Sequence, residues 1–534
     1  MKNPAVNNIK NSEKNFLYGS IIIIAVFLLT RLQYYLYYPI VDISADSASY
    51  CAVAIKLMNF SPPLLDMRTP GYPLFLSLVW FISKNFIVTY FFQSLMTLSA
   101  AIFLYRTFCK YYDSFAVYFA IAISVFISSS FCLVLEFSLL SESLFVCFLL
   151  ISSSFLIRSI MENSASDWTL FSFSVVTLIY IRPVALFFIP VIFIILIYFF
   201  INKYSIKFYL SIVIPLSVFI IVLCTYNYFT LNKFTVSPAG DLSFFACTIL
   251  FMEESPDYPP EINSAIKTTL DSIPKKEKAY VRDPKELSKL NRIFNDNLFR
   301  SWRFVGFVMK ENNQLTYMDI HPYLVKITRD AIKRNPEIYA RIIISNIYQF
   351  IGNISDKLFL YSNLERSYKR IYLDKYYIEM LEDDWWEQFY SDKTSAGEVI
   401  DLYNMQFTKF GDFKYVRYEG GSVILEDTLL KQIYIYIERF NNFVFRNMIW
   451  LLFFLITFIY SSFRVIKSKF KDPVSFIAFI FCAIFIANAF FISILGTAIT
   501  RYSYTVEFVI YLSLPLFIHL IKKSKSDNIK THIV

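Results

Sequence analysis

Long apolar runs separated by short polar joints make up most of this chain, and one long polar stretch interrupts them. A bilayer span needs roughly 20 apolar residues. Runs of that order lie at 16–38, 86–108, 114–135, 143–159, 168–181, 183–201, 207–229, 442–463, 473–494 and 503–521. The stretch 168–201 would make about 50 Å of helix, too long for one span. Arg182-Pro183 divides it, because Pro cannot continue a helical hydrogen-bond ladder cleanly. A further apolar run, 70–84, is short. The pattern predicts an α-helical polytopic membrane protein of about ten transmembrane helices. Residues 1–229 form an N-terminal membrane module, 230–441 a soluble domain, and 442–534 the C-terminal spans and tail.

Inside the polar stretch the pattern changes period. Lys275–Arg303 reads as solvated helix, and Asn335 with Pro336 opens a helix as N-cap and first turn. The apolar stripe of that helix runs through Ile338, Ile342, Ile343, Ile347 and Phe350. Lys414–Tyr418 and Ser422–Leu425 flank Gly420-Gly421, a hairpin signal. The domain is therefore expected to be mixed α/β, serving either as a cap over a membrane site or in acceptor binding.

Charge sets the orientation. With ten spans and the N-terminus inside, the cytoplasmic joints carry Arg106, Lys110, Arg158, Lys203, Lys207, Arg464, Lys467, Lys469 and Lys471, and the tail carries Lys522, Lys523 and Lys525. Eleven spans would turn the basic joints after residue 86 outward, against the positive-inside rule. The run 70–84 is thus expected to be a juxtamembrane or re-entrant helix, and both termini cytoplasmic. Lys2, Lys10 and Lys14 precede the first run, which is too long for a signal-peptide core and is read as a retained span. Asp42, Asp46, Arg68, Glu136, Glu142, Arg182, Arg501 and the whole of 230–441 then fall on the outer side.

Composition agrees: 56% hydrophobic, 17% charged, 58 Phe and 39 Tyr, with a mean hydropathy of +0.48. The formal net charge of +9 sits at helix ends, which points to anionic lipid and topology rather than nucleic acid. Seven Cys lack metal-binding spacing, and His321, His519 and His532 are far apart, which argues against a zinc site or a Ser/His/Asp machine. Cys51 and Cys247 both fall outside, without spacing that supports a bridge.

The most informative stretch follows the first span: Asp42-Ile-Ser-Ala-Asp46-Ser-Ala-Ser-Tyr50, then Ala54 and Leu57, then Asp66-Met-Arg68-Thr-Pro70-Gly71-Tyr72-Pro73-Leu-Phe-Leu76. This order resembles the GT-C superfamily of integral membrane glycosyltransferases. Within it the chain looks most like bacterial relatives of protein O-mannosyltransferases and of the lipid A aminoarabinose transferase. Leu139-Leu-Ser-Glu142-Ser-Leu-Phe145, Arg182-Pro183, Asn227-Tyr228 and Arg501-Tyr502 are further echoes. The resemblance covers 16–229, touches Asn335–Ile351 and 495–520, and leaves roughly 352–441 unmatched.

It implies transfer of a sugar from a polyprenyl-phosphate donor to an extracytoplasmic glycan, lipid or protein acceptor, with inversion at the anomeric carbon, in a bacterial inner or plasma membrane. Such chemistry needs a carboxylate to take the acceptor's proton and cations to hold the departing phosphate. By the resemblance Asp46 is the catalytic base, Arg68, Arg182 and Arg501 bind the donor phosphate, and Glu142 and Asp42 are supporting acids. Tyr50, Pro70, Gly71 and Tyr72 complete the motif. Glu136 and Glu142 form no Asp-x-Asp, so an essential divalent metal is not expected, and no cofactor beyond the lipid-linked donor.

Each residue has a plainer alternative. Asp46 suits an N-cap, Arg68, Arg182 and Arg501 suit interfacial anchors, and Glu142 suits a helix's first turn. Two other classes share many spans, an O-antigen-type polymerase or ligase and a lipid-linked sugar flippase. The R-T-P-G-Y-P loop argues against the first.

Overall fold

The structure, a computed structural model, describes residues 4–37, 45–63, 65, 68–282, 293, 297–315, 317–355, 416–419, 422–425, 429–496 and 500–533. The first ten α-helices follow the apolar runs: α1 (Pro4–Tyr37), α2 (Ala45–Met58), α3 (Gly71–Ile82), α4 (Phe86–Tyr111), α5 (Ala116–Ile127), α6 (Ser130–Glu136), α7 (Glu142–Glu162), α8 (Ala165–Ile181), α9 (Phe188–Ile201) and α10 (Ile206–Leu231). After them come α11 (Gly240–Ala246), α12 (Pro260–Ser272), α13 (Lys275–Arg282), α14 (Asn297–Glu311), α15 (Tyr317–Arg334) and α16 (Pro336–Gly352). A hairpin of β1 (Val416–Glu419) and β2 (Ser422–Leu425) precedes α17 (Leu429–Phe445), α18 (Ile449–Lys467), α19 (Pro473–Leu495), α20 (Thr500–Tyr504) and α21 (Phe508–Ile533).

The chain is a multi-pass α-helical membrane protein. Among the described residues eight helical stretches are long and apolar enough to cross a bilayer, or up to nine if α5 and α6, bent by 58°, are one span. The run 168–181 forms α8, whose 17 residues fall short of that length, and 70–84 forms the 12-residue α3.

Three breaks have local causes. Arg182 adopts an extended conformation, and Pro183 opens a 3-10 turn, Pro183–Phe187, before α9. At the α5–α6 bend the Ser129 hydroxyl accepts from Cys132 N and caps α6. The freed carbonyl of Ile127 accepts from the Arg31 guanidinium at 2.6 Å. The expected span 442–463 begins only at Ile449, because α17 ends at Phe445 and Arg446 turns inward to a buried ion pair with Glu507.

One hydrophobic core runs through the bundle from Ile23 on α1 to Leu520 on α21. A second unites α11–α16 around Phe245, Ile266, Phe304 and Leu324. This body is helical, which replaces the mixed α/β expectation for its described part. Its helices bury one-sided apolar stripes against each other. The hairpin at Gly420-Gly421 does form, with Arg417 opposite Ile424 and Glu419 opposite Ser422.

The expected stripe of α16 is buried at Ile338, Ile342 and Phe350. Asn335, however, does not cap it: its side-chain amide turns back to the Ala331 carbonyl, in the last turn of α15. The helical body docks on the end of α19. Tyr339 OH donates to Ile494 O at 2.7 Å, and Asn346 Nδ2 donates to Ser493 O at 3.2 Å and Gly496 O at 2.9 Å.

Candidate functional site

The site grows from three joints at one end of the bundle: the stretch from α2 to α3, the linker between α6 and α7, and the turn between α8 and the 3-10 helix. Asp46 and Ser49 stand on the first turns of α2. Its N-terminal part is tied to the α6–α7 linker, with Ser47 Oγ donating to Leu139 O at 3.0 Å and Tyr50 OH 2.8 Å from Ser141 Oγ. Ser141 immediately precedes Glu142, the first residue of α7.

Arg68 reaches back to α2. Its Nη2 donates to Asp46 Oδ1 at 2.6 Å, its Nε to Ser49 Oγ at 2.6 Å, and its guanidinium lies 4.7 Å from the Tyr50 ring centre. Tyr50 in turn meets the Tyr72 ring edge-to-face at 4.9 Å. Asp46 is thus an ion-pair partner of Arg68, and the two carriers of the expected chemistry are in direct contact.

The residues after Arg68 dock on the end of α8. Thr69 Oγ1 donates to Ile181 O at 3.1 Å. A Cβ on Gly71 would stand 2.7 Å from Ile181 N and from the Tyr180 carbonyl group, so only glycine lets α3 approach this closely. This contact brings Arg68 into one neighbourhood with the residue after Ile181. Arg182 Nη1 lies 2.5 Å from Glu142 Oε1, and the guanidinium sits 5.0 Å from the Tyr502 ring centre. The sequence motif R-T-P-G-Y is thus a packing device.

The two pairs differ in access. Arg68 and Asp46 keep 23% and 29% of their side chains exposed, whereas Arg182 and Glu142 keep 11% and 2%. The first can exchange partners with an arriving anion, while the second is almost enclosed. Arg501 lies on α20, but its side chain is outside the described residues, and Asp42 is outside them altogether. Pro70 precedes α3, and Tyr72 is fully buried with its hydroxyl donating to Gln93 Oε1 at 2.8 Å.

Gln93 leads to a deeper network that the sequence reading missed. Its Nε2 donates to Glu136 O at 2.6 Å. The Glu136 carboxylate accepts from Arg31 Nη2 at 2.6 Å, Arg31 Nε at 3.1 Å and Ser94 Oγ at 3.0 Å. Arg31 and Glu136 are 2% and 1% exposed. A second buried pair joins Arg446 and Glu507, with Arg446 also donating to Asn353 O. The available signal was a lone Arg inside the first apolar run and a lone Glu inside the last, since charges within spans rarely face lipid.

All seven Cys are buried and free, so Cys51 and Cys247 are not bridged. Among the described residues no group of three or more His, Cys, Asp or Glu side chains is arranged to hold a metal ion. The chain matches no model of a known protein family, and no curated protein matches it.

Proposed function

We propose that the chain is a GT-C-type glycosyltransferase that moves a sugar from a polyprenyl-phosphate donor to an extracytoplasmic acceptor. In this reading ten segments cross a bacterial inner membrane, α8 and the α5–α6 pair included, with both termini cytoplasmic. The joints carrying Asp46, Arg68, Glu142 and Arg182 then face outward together with the α11–α16 body.

The observation that supports this reading best is the Arg68–Asp46 pair, partly open and locked beside Arg182–Glu142 by the Gly71 approach. A carboxylate and a guanidinium in contact are the base and the phosphate holder of such a transfer in a resting arrangement. A donor phosphate competes with Asp46 for Arg68, because a guanidinium binds phosphate oxygens bidentately. Donor arrival thereby releases Asp46 as a proton acceptor. The acceptor's hydroxyl gives its proton to Asp46, and its oxygen bonds to the anomeric carbon. The bond from that carbon to the phosphate oxygen breaks, and the polyprenyl phosphate leaves with the electron pair, held by Arg68. Attack opposite the leaving group inverts the centre. Arg182, tied to Glu142, adds positive potential behind the phosphate, and Arg501 is the third expected cation.

The test is Asp46→Asn in the purified, full-length chain supplied with a radiolabelled polyprenyl-phosphate hexose. Asn keeps the size of the side chain and removes its basicity. Transfer, or hydrolysis to water where no acceptor is present, is expected to fall by about 10²-fold or more, with donor retained on the protein. Asp42→Asn is expected to change the rate far less. Full turnover by Asp46→Asn would remove the base from this pair and transfer the test to Glu142.

A further inference from the structure

At the opposite end of the bundle, away from the paired joints, α1, α4 and α7 surround a cleft of about 510 Å³. Its walls carry Arg106 and Lys110 from α4, Arg158 from α7, and one acid, Glu13 from α1. Lys110 and Arg158 each also hold a carboxylate outside the lining, Glu162 at 2.5 Å and Asp167 at 2.9 Å. Arg106 has no ion pair among the described residues; its guanidinium lies 6.0 Å from the centre of the Phe16 ring. Aromatic rings continue from the cations along the bundle. Phe16 and Phe103 line the cleft, Phe103 meets Phe155 edge-to-face at 5.4 Å, and Arg158 lies 5.7 Å from the Phe155 ring centre.

The chemistry is therefore graded. Arg106 stands with Glu13 and the two carboxylate-paired cations Lys110 and Arg158, and the rings of Phe16, Phe103 and Phe155 adjoin them about one helical turn further along α1, α4 and α7. A soluble anion would use the cations and leave the rings bare. A lipid uses both, with phosphate at the cations and acyl chains along the rings, and basic pockets between spanning helices are suited to anionic headgroups. Glu13 adds a selection of its own, since it accepts from a hydroxyl-bearing headgroup and repels a second negative charge.

We propose that this cleft is a binding site for one anionic glycerophospholipid. Its phosphate lies against Arg106 with Lys110 and Arg158 flanking, a headgroup hydroxyl faces Glu13, and an acyl chain follows Phe16 and Phe103. The site is separate from the donor site and does not depend on the glycosyltransferase reading.

The experiment is native mass spectrometry of the full-length chain in detergent, titrated with phosphatidylglycerol, phosphatidylethanolamine, phosphatidylcholine or inorganic phosphate. One phosphatidylglycerol is expected to be retained in preference to the two zwitterionic lipids. Arg106→Gln is expected to weaken that retention about fivefold, the effect of one basic residue at a lipid phosphate. Arg106 is exposed and outside any described ion pair, so the variant should fold. Equal retention of all three lipids by the wild-type chain overturns the proposal without recourse to a variant. So does phosphatidylglycerol binding that Arg106→Gln leaves unchanged. Arg106-dependent binding of inorganic phosphate as tight as that of the lipid would make the site a free-anion site and overturn it as well.

Discussion

The two ends of this bundle differ in how deeply most of their ion pairs are buried. At the end near α2 and α3, Arg31–Glu136 and Arg446–Glu507 are buried and Arg182–Glu142 nearly so, while Arg68–Asp46 alone stays partly open among the pairs described there. At the other end Lys110–Glu162 is exposed, while Arg464–Asp472 and Lys523–Asp472 are partly open. Exposed pairs contribute about 0–1 kcal/mol, whereas breaking a buried pair costs roughly 3–5 kcal/mol by stranding a charge. Loss of Arg31 or Arg446 is expected to cost far more than loss of Lys110.

If the proposed orientation holds, the two ends face different compartments. Cysteines placed at Lys267 on α12 and Lys471 beside α19 should label oppositely with a membrane-impermeant thiol reagent. Lys267→Cys should react in intact cells and Lys471→Cys only after permeabilisation. The native thiols are buried and give little background. Labelling of both positions from one side would overturn the proposed outward orientation of the site.

Next in size is the buried network. Arg31→Met leaves Glu136 without its guanidinium and should destabilise the bundle by roughly 3–5 kcal/mol, read as denaturation in mixed micelles. Arg31→Met with Glu136→Met should recover most of that loss. A loss no larger than that of Lys110→Ala, expected below about 1 kcal/mol, would erase the contrast between the ends.

Gly71→Ala probes the close approach directly. The added methyl meets the backbone at Tyr180 and Ile181, so α3 must back away at a cost of about 1–3 kcal/mol. Because Arg68 rides on the same segment, the proposed transfer activity should fall more than stability does. An intact rate with a fully stable protein would show that the approach has slack.

The smallest effect lies at the basic end. Burial alone would raise the Asp472 carboxyl, but hydrogen bonds from Lys523 and Ser475 and the charge of Lys523, with Arg464 beside it, outweigh burial and hold it at about 2, below its ordinary 3.8. A folded-state value below the unfolded one stabilises above the unfolded value and is lost as pH falls through the folded one. The advantage of the wild-type chain over Asp472→Asn, measured as thermal midpoint, should therefore be full above pH ~4 and shrink toward pH ~2. Asn retains the cap on α19, so the comparison isolates the charge. A difference that does not change over this window would assign Asp472 to capping alone.

Much of this was legible in the chain. Apolar runs fixed by bilayer thickness located the spanning helices, and Pro183 located the break after Arg182 because its ring cannot join the ladder. The turn residues Gly420-Gly421 located the hairpin. Glycine in R-T-P-G-Y could be read as a place of close approach, but not what approaches. That partner, Tyr180-Ile181, lies more than a hundred residues away. The mixed α/β expectation is not supported, because one hairpin signal was extended to a domain whose described body is built from six helices.

Periodicity and length are local properties, written residue by residue, and they determined which segments are helical and where they stop. Pairing is not local. Whether Asp46 meets Arg68, Glu142 meets Arg182, or a lone Arg31 finds Glu136 depends on how helices of similar hydrophobicity pack side by side. Many packings bury the same apolar surface. The tertiary structure selected among them through the few buried charges, since a charge without its partner costs more than any single apolar contact returns.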